Sequence, residues 1–351
     1  MEKFILWLIS MDISNRRKLF LISKYGKEKE IFDKFEIIKC EYPNIFKKFK
    51  NYNKEEELKS SEEFLLKLEA LNISFITITM EEYPEKLKRL DEPPYFMFYK
   101  GNIKLLNEPT VGVVGSRRHS TYGEKATNVL VKEMAKVGFT IVSGGALGID
   151  AVAHKSALNN NGNTIAVLGS GIDVLYPNSN RFLLEEISKY GLLLSEFPLG
   201  TKPFAFNFPR RNRIISALSY KLLVPEAKKG SGSIITVDLS NEIGIEVGVV
   251  PGSIFSEYNV GTNMLLSEGA TIVYDKQSLY DFLNVDYEKE TEIEDDIQNK
   301  ILEIISDEPV HVDDLLKKSK VDRNTFYRLL FEMQINNKIM NLPGEYYVRV
   351  L

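Results

Sequence analysis

From Thr110 onward the sequence repeats one pattern: a short apolar run, a glycine-containing turn, then a segment of helical character. The runs are Val111–Val114, Phe139–Val142, Thr164–Leu168, Gly191–Leu194, Lys221–Val224, Glu246–Val250 and Ala270–Tyr274. They are too short for helices and too uniformly apolar for strands with one face in water, so they read as strands buried on both sides. Strands of that kind joined by crossover helices predict an α/β fold, a Rossmann-like, doubly wound and mostly parallel sheet.

The flanks carry different patterns. Residues 1–70 alternate apolar residues with Lys and Glu at helical spacing, as in Glu62-Glu63-Phe64-Leu65-Leu66-Lys67-Leu68, and predict a small helical domain of the SAM or helix-hairpin-helix kind. Its apolar run Phe4–Ile9 lacks a small-residue cleavage site and reads as a core helix. Ser74–Thr79 and Tyr95–Tyr99, separated by the Tyr83-Pro84 turn and Pro93-Pro94, are two further strands at the start of a core spanning 71–285. The acidic stretch 286–296 reads as a solvated linker. Beyond it, residues 297–351 predict three short helices and a hairpin around Pro343-Gly344, which is a winged-helix arrangement.

Composition narrows the function. A net charge of −4 excludes a uniformly basic nucleic-acid binder, so any such site must be a local patch. Cys40 is the only cysteine, which excludes an intrachain disulfide and a cysteine zinc site and suits a reducing cytoplasm. His119, His154 and His311 are scattered, giving no support for a metal site or a hydrolytic triad, and no cofactor is expected.

Four glycine-rich turns follow predicted strands, and in an open α/β sheet such turns collect outside the carboxyl ends, where ligands bind. They are Gly115-Ser116-Arg117, Ser143–Asp150, Gly169-Ser170-Gly171 and Gly230-Ser231-Gly232-Ser233. A dinucleotide fingerprint does not fit, because Val174 stands where the third glycine of Gly169-Ser170-Gly171 would belong. The segment Lys202–Arg213 adds four basic residues and three phenylalanines without an acid. Guanidinium forks on phosphates and exposed rings under unpaired bases are what single strands require. The competing reading makes Phe204 and Phe206 core residues and the arginines a solvated helix face.

Seven ordered motifs resemble the DprA/Smf family of DNA-processing proteins: GSRRHSTYG at Gly115, SGGALGIDAVAH at Ser143, TIAVLGSGIDVLYPNSN at Thr164, SEFPLG at Ser195, FPRRNRIISALS at Phe208, EAKKGSGSIIT at Glu226 and VPGSI at Val250. The resemblance runs from about Ile73 to Asp275. It implies a cytoplasmic binder of single-stranded DNA that protects incoming strands and loads a RecA-type recombinase during natural transformation. It also implies a homodimer through the Rossmann-like core. By position, Arg117, Arg211 and Arg213 would hold phosphates and Phe208 would stack on a base, while Gly144, Gly145, Ser231, Gly232 and Ser233 would supply close backbone and hydroxyl contacts. Gly115, Ser116, Arg118, Asn212 and Lys229 complete the expected DNA-binding set. A departure lies before Ser231, where the family often has a basic residue and this chain has Gly230 after Lys228-Lys229.

Two alternatives differ in class. The core also resembles the lonely-guy type of nucleoside-monophosphate phosphoribohydrolase, but Thr236 falls where its catalytic glutamate would stand, and threonine is no general base near neutral pH. The other is a duplex-reading regulator with Asp322–Leu330 as recognition helix, which the near balance of acids and bases beyond Asp296 argues against. Asp150 is expected to orient turn N–H groups, and Glu226 to pair with a rim arginine.

Overall fold

A computed structural model describes residues 2–49, 52–286, 290–305, 308–335 and 338–349. The chain divides into two units, Met1–Leu283 and Asn284–Leu351.

In the first unit nine strands form one sheet: β1 (Ser74–Thr77), β2 (Phe96–Gly101), β3 (Thr110–Val113), β4 (Thr140–Ser143), β5 (Thr164–Val167), β6 (Leu192–Ser195), β7 (Lys221–Val224), β8 (Val247–Val249) and β9 (Thr271–Ile272). Their order is β1-β2-β6-β5-β4-β3-β7-β8-β9, parallel from β6 to β9, with β1 and β2 antiparallel at one edge. The sheet is therefore the mostly parallel, doubly wound one that the pattern predicts, and β3 through β7 are buried throughout, as their unbroken apolar runs require. From β3 the chain winds outward through β4, β5 and β6, then returns to lay β7 on the other side of β3. The β3–β7 boundary is a topological switch point, where connections leave in opposite directions and a crevice opens beyond the strand ends.

Helices α1 (Glu2–Ser10), α2 (Asn15–Tyr25), α3 (Glu28–Asp33), α4 (Phe35–Glu41) and α5 (Lys54–Ala70) precede the sheet. Ser14 and Asn53 cap α2 and α5 through side-chain oxygens, satisfying amides that open a helix. The run Phe4–Ile9 is a core helix as read: α1 buries Ile5 through Ile9. These helices share one apolar cluster with Tyr95, Phe96, Phe98 and Leu193 of the sheet side, so residues 1–70 have no core separate from the sheet. A short α6 (Glu85–Lys88) and crossover helices α7 (Thr121–Lys136), α8 (Ile149–Asn159), α9 (Arg181–Tyr190), α10 (Asn207–Leu218), α11 (Gly232–Glu242), α12 (Val260–Ser267) and α13 (Lys276–Leu283) complete the unit. A single 3-10 turn, Asn178–Asn180, leads into α9.

Between α8 and the sheet lies His154, wholly buried, with Nδ1 2.6 Å from the Thr164 hydroxyl. That hydroxyl donates to the Ile141 carbonyl, so Nδ1 carries the proton, and the ring is neutral. Burial holds its pKa down to about 3, against 6.5 in an exposed ring. Because the folded value is depressed, the unfolded chain takes up a proton that the folded one refuses as pH falls from 6.5 towards 3. At pH 5 this one residue is expected to cost about 2 kcal/mol of stability. A His154→Asn variant should lose less stability than the parent between pH 7 and pH 5 in denaturant titrations. Equal losses would refute a neutral buried ring.

The second unit contains α14 (Glu290–Ile304), β10 (Val310–His311), α15 (Val312–Ser319), α16 (Arg323–Ile335), β11 (Ile339–Leu342) and β12 (Tyr346–Arg349). The three strands pair antiparallel in the order β10-β12-β11, and Ile301, Leu315, Phe326, Leu329, Leu330 and Met333 build the core. This is a winged helix, with an N-terminal extension that corrects the linker reading: the acidic stretch is helical from Glu290, and 287–289 lie outside the described residues.

Candidate nucleic-acid interface

A groove of about 620 Å³ opens at the switch point. Its walls are the turn after β3 (Gly115, Ser116, Arg117, Arg118), the turn after β7 with the start of α11 (Lys228–Ser233) and one side of α10 (Phe208, Arg211, Asn212, Ile215). The α10 residues follow i, i+3, i+4, i+7 spacing, so one face of that helix forms the wall. Five basic side chains line the groove against one carboxylate, Asp150.

The two turns are tied together across a long stretch of chain. Ser116 donates its N–H to the Glu226 carbonyl at 2.9 Å, and its hydroxyl oxygen accepts the Lys228 N–H at 3.1 Å. Ser116 is thereby buried and structural, whereas Arg117 and Arg118 are exposed beyond it. The Arg117 guanidinium sits 5.3 Å from the centre of the Phe208 ring, within cation–π range. No carboxylate lies within ion-pairing distance of Arg117, Arg118 or Lys229 among the described residues, while Lys228 pairs with Glu257 at 2.7 Å. Opposite, α11 begins at Gly232 with Ser231 as its N-cap, and a Cβ at Gly232 would meet only open space. The helix therefore presents its positive end and its bare first backbone to the groove, which favours an anion.

Arg211 behaves differently from the expectation of a phosphate clamp. It is 4% exposed, donates to the carbonyls of Gly144 (2.7 Å) and Val167, and sends Nε to Asn212 Oδ1 at 3.0 Å. Burial lowers its pKa to about 10, which leaves it charged, and the Asp150 carboxylate facing it works in the other direction. Asp150 in turn accepts the N–H groups of Gly144 (3.1 Å) and Ala146 (3.4 Å), the orienting role expected of it, and burial raises its pKa against the pull of Arg211. Gly144 is required by this pair: a Cβ there would stand 2.5 Å from the Arg211 guanidinium and 2.7 Å from the Asp150 carboxylate. Gly144 and Gly145 are buried beneath the floor and do not line the groove, so they make room for its foundation instead of touching a ligand.

Arg213 also lies elsewhere. Its guanidinium pairs with Glu196, which Arg210 approaches at 3.6 Å, and it does not line the groove. Two residues along a helix rotate a side chain by about 200°, so Arg211 and Arg213 cannot serve the same face. Glu226 does not pair with a rim arginine: it is fully buried and accepts both the N–H (2.7 Å) and the hydroxyl of Ser120, the N-cap of α7. Phe208 is half-buried, its ring close to Gly169, where a Cβ would come within 2.7 Å of it, with the Tyr176 ring 5.9 Å away. Thr236, where a phosphoribohydrolase would carry its glutamate, is buried in the groove wall and its carbonyl accepts the Ser216 hydroxyl.

The structure thus gathers Gly115, Ser116, Arg117, Arg118, Phe208, Arg211, Asn212, Lys229, Ser231, Gly232 and Ser233 around one opening and leaves Gly144, Gly145 and Arg213 out. It adds Lys228, Ala205 and Pro209, and it exposes Phe204 (49%) and Phe206 (71%), which ends the reading of those rings as core.

Comparison with known proteins then decides the family. Residues 74–284 match the family described as DNA recombination-mediator protein A, and residues 287–345 match the DprA winged helix domain. The chain belongs to the DprA family. It is 40% identical over 219 residues to the DNA processing protein DprA of Bacillus subtilis, covering 61% of this chain and 74% of that protein. Among solved structures, DprA of Streptococcus pneumoniae superposes with a TM-score of 0.68 at 34% identity, over 82% of this chain and 99% of that one. DNA processing protein A of Helicobacter pylori, whose structure concerns its single-stranded DNA binding mode, superposes with a TM-score of 0.56 at 34% identity, over 60% of this chain and 95% of that one. The family is described as a recombination mediator, and the DprA relatives are named for DNA processing, not for a catalysed reaction. Among the described residues no helix of this DprA chain is long and apolar enough to cross a membrane.

Proposed function

We propose that this chain binds single-stranded DNA along the groove at the β3–β7 switch point and hands it to a RecA-type recombinase during natural transformation. What carries the reading is the concentration of charge: among the described residues Arg117, Arg118 and Lys229 stand free of carboxylates around the open start of α11, in a protein whose net charge is negative. Such a patch attracts a polyanion locally while the rest of the surface does not. The Phe208 ring beside Arg117 offers a face for an unpaired base, and a duplex, whose bases are stacked inside, has none to give. Recombinase delivery, protection of the strand, self-association through the core and residence in the cytoplasm follow from family membership and are parts of the same proposal.

The test is a binding titration with single- and double-stranded oligonucleotides at two salt concentrations, with nucleotide hydrolysis followed in parallel. Binding to single strands should exceed binding to duplex, depend little on base order, and fall steeply with salt. Phe208→Ala should leave the salt slope of the parent unchanged and weaken binding by about five- to a hundredfold, the usual worth of one stacked base. A slope altered by Phe208→Ala, or equal affinity for duplex, would put the strand elsewhere.

A further inference from the structure

Next to the groove, the rings of Phe204 and Phe206 stack on each other, 5.5 Å between centres and only 6° from parallel. Neither belongs to the apolar clusters on the two faces of the sheet. Their exposures of 49% and 71% mean that both rings present apolar area to water, at a cost of roughly 25 cal/mol per Å² with no compensating burial. Apolar area left in that state beside a polar surface is a mark of a contact site.

Three observations say what covers it. The residue between the two rings, Ala205, lines the groove, so the stack continues the groove's edge without a break. Exposed Lys202 stands two residues before the first ring, and no acid occurs in the sequence from Lys202 to Arg213. The rings are already parallel to each other, the arrangement into which a flat heterocycle adds as the next layer, whereas protein cores mix tilted and edge-on pairs, as around Trp7 and Phe35.

We propose that the Phe204–Phe206 stack is a second base platform, on which an unpaired base of the strand leaving the groove caps the outer ring, Phe206. This rests on the reading of the groove as a single-strand site and extends it. Phe208 holds a base within the groove beside Arg117. Phe206, backed by Phe204, holds another where the strand emerges past Lys202. A strand must therefore be long enough to span both platforms before it gains the full affinity. Because Phe206 buries little against its own protein, removing it changes the contact with the strand and not the fold.

The experiment uses the full chain and a series of oligothymidines carrying a single 2-aminopurine at each position in turn, since stacking on an aromatic ring quenches that base. The parent should show two separated quenched positions. Phe206→Ala should abolish the outer one, keep the inner one, lower affinity for long oligonucleotides about tenfold, and leave affinity for the shortest bound oligonucleotides unchanged. Phe206→Tyr should restore the outer signal, and the melting temperatures of both variants should match the parent. A Phe206→Ala profile identical to the parent overturns the second platform while the groove stands. A parent that binds no single strand removes both readings at once, and an inner position that disappears only in Phe208→Ala keeps the two platforms distinguishable.

Discussion

Replacing Arg211 with alanine is expected to lower the melting temperature of this protein by about 10 °C, the largest effect of any single substitution around the groove. The cause is burial. Arg211 gives its guanidinium protons to two main-chain carbonyls, those of Gly144 and Val167, and faces the Asp150 carboxylate at the buried floor of the groove. Removing one member of such a buried set costs about 3–5 kcal/mol, because the remaining carbonyls and the carboxylate are left without donors or counter-charge. Burial already raises the pKa of Asp150, so protonation relieves part of the loss, more so at low pH. Arg211→Lys keeps the charge but not the fork, and should recover only part of the stability. Calorimetry decides: a melting temperature within a degree or two of the parent would mean that Arg211 does not hold the floor together.

Arg117→Ala is expected to do the opposite, leaving the melting temperature alone and weakening single-strand binding at least tenfold. Arg117 is exposed and has no carboxylate partner among the described residues, so its charge is available to a phosphate, and the loss of one phosphate contact lowers the slope of log K against log salt by about 0.7. The variant also removes the cation above Phe208, so the base contact should loosen with the phosphate contact. Parallel salt slopes for parent and variant would remove Arg117 from the DNA path. The pair of variants separates foundation from contact surface, two roles that the motif FPRRNR places side by side.

That distinction shows where the sequence was legible. Periodicity located all nine strands of the sheet to within a few residues, because apolar runs of strand length between glycines admit few other structures. It did not reveal strand order, and strand order makes the site: only the placement of β7 beside β3 brings Ser231 to Arg117. Burial of an arginine left no trace in composition either. The needed signal was the helical spacing Phe208, Arg211, Asn212, Ile215, which assigns Arg213 to another face once Asn207–Leu218 is taken as a helix. Reading Lys202–Arg213 as one basic, aromatic patch merged three surfaces: the groove wall, the Glu196 ion-pair cluster and the exposed ring stack. The acidic stretch after Asp286 misled for a related reason, since charge content says whether a segment meets water but not whether it is coiled.

The bond from Lys228 to Ser116 closes a loop of chain between residues 112 positions apart. Contacts so remote in sequence form late, after most of the intervening strands and crossovers are in register. If the groove is the strand site proposed above, a nascent or partly unravelled chain has only two separated half-sites, and the finished sheet alone can engage the polymer. By the same reading, a strand laid over both lips would act as a clasp on that seam, so that occupancy and resistance to unravelling would rise together.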